Sequence, residues 1–447
     1  MININRRLKT FIILKSILIA LLFSSSALSA SDTTSIEKQI IHATTQEQNN
    51  QLSLLETLVN INSGTVNIAG VHRVGELLRP QLEALGFKVR WVEEPAQMQR
   101  AATLVAEHPG HTGKRLLLIG HLDTVFPPSS PFQHFARHGN SATGPGALDD
   151  KGGDVVLLYA LKALQSIHAL DDADITIVLT GDEEDSGKPT SISRKPLFDA
   201  AKKSDIALDF ESAVTLNTGT IARRGISLWM LTTQGDEAHS SQIFSEKAGF
   251  GAIYELARIL DTMRTQLSHE QYLTFSPGLA FGGTTVNYDK KNSEGTAFGK
   301  GNVIAQAAMA KGDLRFLTLE QKINAEKKIT AIVNQHLPKT TATITYQDGI
   351  PSMPPTAANL ALLQEYSKAS EKLGYGSIKP LDPGSRGAGD ISHIASIVKS
   401  ALAGLGPTGT GEHSAKETLD ILSLPIQTQR AALLIYWETH PRAIANK

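Results

Sequence analysis

Five side chains able to bind a metal stand at separate points of the sequence. They are His121 in GHLDTV, Asp149 in GPGALDDKGG, Glu184 in TGDEEDSG, Glu211 in LDFES and His413 in GTGEHSAKE. Two imidazoles and three carboxylates suffice for two zinc ions when one carboxylate bridges them. The chain has no cysteine, so thiol catalysis, disulfides and Cys-ligated zinc are excluded, and any metal must be held by His, Asp or Glu. Glu183, next to Glu184, is the candidate general base: it could take a proton from water and pass it to a leaving amine.

Each motif has its own logic and its plainer alternative. His121 and Asp123 are two apart, which on an extended strand points them to one face. One ring nitrogen can then bind metal while Asp123 accepts the proton of the other, fixing the tautomer. The alternative is a turn with an incidental histidine. In GPGALDDKGG the glycines allow close backbone approach to a ligand just before an apolar helix, VVLLYALKAL. Asp149 is the bridging candidate there and Asp150 the weaker one; a bare helix cap is the simpler reading. The carboxylates of GDEED raise one another's pKa unless a cation lies among them, or else they are solvated on a loop. Glu211 and His413 are weak signals singly. His108, His168, His269, His336 and His440 have no such motif around them.

The elements that must position these residues follow from periodicity. Short apolar runs such as RLLLIGH, ITIVLTG and DIALDF alternate with helical spacing up to residue 222, the pattern of a mostly parallel, buried sheet. Ligands of such sheets bind beyond the carboxyl ends of the strands, where His121, Glu184 and Glu211 fall. From 223 to 345 the order becomes βαββαβ, a ferredoxin-like α+β arrangement. Within it NYDKKNSEGTAFGKGN reads as an extended loop. Because His413 lies after this unit, the unit is inserted in a discontinuous α/β domain, 45–222 and 346–447.

Residues 1–30 read as a secretory signal peptide, with Arg6, Arg7 and Lys9, then ILIALLF, then SSSALSA. The apolar run is short of the roughly 20 residues that span a bilayer. Export to the periplasm or beyond is expected, with no membrane attachment after cleavage. The 43 basic and 44 acidic side chains leave a net charge of −1, which argues against a nucleic-acid partner. Other hydrolase signatures, G-x-S-x-G and H-E-x-x-H, are absent, and GHTGKR lacks the Ser/Thr and spacing of a phosphate-binding loop.

Taken in order, GHLDTV, GPGALDDKGG, TGDEEDSG, LDFES, GDEAHSS, GAGD and GTGEHSAKE run through nearly all of the chain after the signal segment. With them the chain resembles the M20 family of metallopeptidases, co-catalytic dizinc exopeptidases and deacylases, and in particular its bacterial glutamate carboxypeptidase branch. The resemblance implies that Asp149 bridges two metals, that Glu184 and His413 complete one position and His121 and Glu211 the other, with Glu183 as base and Asp123 behind His121. It implies Zn2+, two per subunit, although such donors also accept Co2+ or Mn2+. It implies a homodimer formed through the inserted dimerisation (lid) domain, with His239 reaching the partner's active site to stabilise an oxyanion. Asn302 in GNVIAQ matches a substrate-contacting residue, with Ala305 where a proline is usual, and Gly389 in SRGAGD lines the substrate end. The substrate would be a small peptide or an N-acyl amino acid.

The chain departs from that branch at the basic residues that recognise glutamate: Ile350 stands before PSM, and Arg223, Arg224, Arg315 and Arg386 are the replacements available. A second reading is a non-catalytic binding protein, against which the intact Glu183 weighs.

Overall fold

The computed structural model describes residues 35–290 and 292–440, so the expected signal segment lies outside the described residues. After three helices, Ser35–Gln46, Gln48–Val59 and Ile68–Ala84, the chain builds β1 (Lys88–Val92), β2 (Thr103–His108), β3 (Thr112–His121), helix α1 (Lys151–Ser166), β4 (Ala173–Thr180) and β5 (Ile206–Asp209). In β3 the residues from Leu116 to His121 are all buried. Leu116 and Leu118 face a core shared with Val155 and Leu158 of α1, while Leu117 and Ile119 face a second core with Leu197, Ile391 and Ile394. Layers on both faces explain why this strand is a continuous apolar run rather than an alternating one.

After β5 the chain leaves this sheet and forms a second one from β6 (Gly225–Gly235), β7 (Thr274–Gly283), β10 (Ala307–Phe316) and β11 (Thr340–Asp348), with helices α2 (Gly251–Leu267) and α3 (Leu319–Val333). Its order is β7-β10-β6-β11, all antiparallel, which is the ferredoxin-like split βαβ. Burial alternates along β6, and Trp229 and Leu231 pack with Ile259, Met263 and Ile329 from the two helices. One covered face is what an alternating strand requires.

The segment read as an extended loop is a hairpin instead, β8 (Thr285–Asp289) with β9 (Glu294–Phe298). The Asp289 side chain accepts hydrogen bonds from the backbone and side-chain amides of Asn292, closing a turn that polar composition alone does not distinguish from a loop.

The chain then returns to the first sheet with β12 (Ser400–Ala403) and ends in helix α4 (Ser423–Thr439), which packs in the same core as α1. The finished order is β1-β2-β4-β3-β5-β12, parallel among its last four strands and antiparallel at the β1–β2 edge and between β2 and β4. No helix of the described residues is long and apolar enough to cross a membrane.

Candidate functional site

The parallel strands β3, β4 and β5 end side by side, and their carboxyl ends carry His121, the loop of Glu183 and Glu184, and Glu211. Asp149 arrives from the turn that starts α1. There Gly153 lets the helix begin against β5, since a Cβ would lie 2.0 Å from the Phe210 carbonyl and 2.1 Å from Asp150 Oδ1. His413 arrives from a loop after β12, with φ of +60°. A non-glycine residue there carries strain of order 1–3 kcal/mol, which persists only where its surroundings demand it.

Asp149 is the hub. Its Oδ1 lies 3.0 Å from His121 Nε2 and its Oδ2 lies 3.1 Å from His413 Nε2. His413 Nε2 is also 3.1 Å from Glu184 Oε2. Donor atoms of His121, Asp149 and Glu184 all lie within 4.8 Å of one another. The other Glu184 oxygen, Oε1, is buried with no hydrogen-bond partner among the described residues. An orphaned buried carboxylate oxygen on a residue grouped with an imidazole and a second carboxylate, all hard or borderline N/O donors, fits a divalent metal of the zinc, cobalt or manganese kind.

Electrostatics point the same way. Burial pushes the Asp149 carboxyl up, but hydrogen bonds from His121 and His413 outweigh it and hold it well below the usual range. His413 is raised to about 11 by its hydrogen bonds to Asp149 and Glu184. His121 is raised as well: burial opposes its charge, and the hydrogen bonds to Asp123 and Asp149 overcome that. The carboxylates therefore gather positive charge wherever it is available. Glu183 is pushed well up by burial and by the fields of Asp390 and Glu211.

Asp123 holds two elements together. Its Oδ1 accepts from the Glu183 backbone N–H at 3.0 Å, and its Oδ2 from the Glu184 N–H at 3.2 Å and the Thr65 hydroxyl at 2.6 Å. Its partnership with His121 is shared. Nδ1 of His121 is 3.1 Å from the Asp123 backbone carbonyl and 3.4 Å from its carboxylate. The carbonyl is the nearer acceptor, and the carboxylate lies beside it on the same ring nitrogen.

Glu211 is brought to the same end of the sheet but turns to cations: Arg223 Nη1 donates to its Oε2 at 2.7 Å and Arg386 Nη2 at 2.8 Å. It forms no hydrogen bond with His121 among the described residues. Gly389 packs on this group. Of the other candidate cations, Arg224 donates to Thr274 and the Gly384 carbonyl, and Arg315 pairs with Asp313. His239 and Asn302 lie together, since Ser240 N–H donates to the Asn302 carbonyl, but both are exposed in the second unit, and among the described residues neither bonds to the five candidate ligands.

Two supports are not among the residues singled out from the sequence. Glu417, buried, accepts from the backbone N–H of Leu148 at 2.8 Å and of Asp149 at 3.2 Å. Arg194, fully buried, forms ion pairs with Asp182 and Asp390 and so ties the Glu183 loop to the Gly389 loop. Glu417 does close the GTGEHSAKE segment, four residues after His413, and that proximity is the only signal the sequence offers.

A model of peptidase family M20/M25/M40 matches residues 117–436. Carboxypeptidase G2 of Pseudomonas sp. (strain RS-16) is 29% identical over 411 residues, covering 89% of this chain and 91% of that protein. Among solved structures, aminopeptidase PepT from Bacillus cereus superposes with a TM-score of 0.67 at 16% identity, covering 87% of this chain and 98% of the other. A dinuclear metal-binding peptidase of the M20 family from Bacillus subtilis has a TM-score of 0.61 at 15% identity, covering 88% and 99%. These structures share the fold, and the match of the family model over most of the chain shows the rest: this chain belongs to peptidase family M20/M25/M40, a family of metallopeptidases.

Proposed function

We propose that the protein is an exported exopeptidase or amidohydrolase that cleaves a C-terminal peptide bond or the amide of an N-acyl amino acid at a two-metal centre. The observation that carries this is the placement of Asp149, with one oxygen toward His121 and the other toward His413. Glu184 and His413 would hold one metal with Asp149, and His121 and Glu211 the other. Metals held there would supply Lewis acidity and make water acidic enough to ionise near neutral pH.

The chain's own residues do the rest. Glu183 sits beside Glu184 on a loop pinned by Asp123, and takes the proton of the attacking water. Its raised proton affinity suits it to keep that proton until the amine leaves and then deliver it. The hydrogen bonds to Asp123 keep this carboxylate from drifting out of line. In a homodimer, His239 would come from the partner copy, which agrees with its exposure in one chain. Light scattering that shows a fully active monomer refutes that arrangement.

The decisive experiment assays amine release from dipeptides and N-acyl amino acids, with zinc present, by the mature protein and by Glu183→Ala. The variant is expected to keep its metal and lose at least about a hundredfold in turnover. Full activity in the variant removes Glu183 from the mechanism. Ligand binding without any turnover by the native protein favours the binding-protein reading.

A further inference from the structure

The two halves of the centre differ in the charge around them. Beside Glu184 the paired cation is a histidine: His413 lies at 3.1 Å, Asp149 is a neighbouring carboxylate, and no lysine or arginine of the described residues pairs with it. Around Glu211 there are two arginines on one oxygen. Arg223 is built in. It donates from Nε to the Gly387 carbonyl at 2.7 Å and from Nη2 to the Ala388 carbonyl at 3.2 Å, and Asp209 is 3.3 Å from Nη1. Asp209 thus answers its charge in addition to Glu211.

Arg386 is different. Its Nη1 donates to the Ser212 hydroxyl at 3.1 Å and is 3.7 Å from Glu412, whose side chain is 38% exposed, so Glu211 is its closest counter-charge. The packing holds the arrangement: a Cβ on Gly389 would lie 2.6 Å from both Glu211 Oε1 and Arg223 Nη1.

We propose that Arg386 sets the affinity of the metal position built on His121 and Glu211 and makes it the weaker of the two. This rests on the two-metal reading above. A carboxylate already bound by a guanidinium donates less charge to a second cation, and the guanidinium repels that cation directly. A hydrogen bond to a charged group, lost or weakened when metal enters, corresponds to a factor of about ten or more in affinity.

The test uses the full mature chain stripped with a chelator and titrated with Co2+, read by its visible absorption, and with Zn2+, read by equilibrium dialysis. Wild type, Arg386→Gln and Arg386→Lys are compared. The wild type is expected to fill in two steps separated by about tenfold or more. Arg386→Gln is expected to tighten the weaker step by about tenfold and leave the tighter one unchanged, with Arg386→Lys between, since lysine keeps the charge but not the fork. A wild type that binds one metal while Arg386→Gln binds two also supports the proposal. Two equal steps in the wild type overturn it, as does a weaker step that neither variant moves. A single metal in all three proteins sinks the two-metal reading itself.

Discussion

Glu417 offers the sharpest check on how Asp149, the proposed bridging ligand, is held. Its carboxylate is buried and Oε1 accepts from two consecutive backbone N–H groups, those of Leu148 and Asp149. Glu417→Ala removes the acceptor and leaves both donors inside the protein. Each buried donor left unsatisfied costs about 1–3 kcal/mol, so the pair comes to roughly 2–6 kcal/mol. Part of that loss is returned, because Glu417 and Asp149 are like charges; burial, ahead of that repulsion, pushes the Glu417 carboxyl up to about 7. Glu417→Gln separates the two effects. The amide oxygen still accepts from both N–H groups, and the charge is gone.

The alanine variant is therefore expected to melt several degrees lower and to bind Zn2+ about 10–100-fold more weakly, as loss of a residue orienting a metal ligand does. The glutamine variant should stay close to the native protein in both. Calorimetric melting and metal titration of the stripped proteins measure this. If Glu417→Ala binds metal with native affinity, or if Glu417→Gln is as damaging as Glu417→Ala, the two backbone hydrogen bonds are not what positions Asp149.

Two further outcomes follow from the same neighbourhood. Arg194→Met strips two buried carboxylates, Asp182 and Asp390, of their counter-ion and should cost about 3–5 kcal/mol in urea unfolding; native stability in that variant refutes the role of the ion pairs. His413, raised to about 11 by Asp149 and Glu184, carries a proton at neutral pH that metal must expel, so binding should release protons and tighten as pH rises. In the metal-free protein that same proton stabilises the fold fully below the ordinary histidine value, and the contribution fades as pH climbs toward about 11. Calorimetry of metal binding in buffers of different ionisation heat reads the release directly, and no buffer dependence in the neutral range contradicts it.

What could be read from the sequence was local. His121 and Asp123, the glycines before α1, and Glu183 with Glu184 each announce themselves within a few residues, and strand ends place them at one edge of a sheet. The βαββαβ order of the second unit follows from alternation and helical spacing in the same way, but the β8–β9 hairpin does not. Its register depends on an Asp289 side chain capping Asn292, a contact that polar composition leaves undetermined. Arg194 was invisible for a similar reason: a lone arginine in SISRKP says nothing of an aspartate 196 positions later. Glu417 meets Asp149 across 268 residues.

Glu211 shows where motif order and physical neighbourhood part. By motif it belongs with His121, and it does lie at the end of the adjacent strand. Its immediate partners, however, come from 12 and 175 positions away, and both are arginines. A carboxylate in such company is a poorer metal ligand than one facing an imidazole, even though both are written as the same letter. On the two-metal proposal the two halves would be equal in donor count and unequal in surrounding charge. If the two were interchangeable, there would be no reason for two arginines beside Glu211 and none of the described residues' arginines beside Glu184.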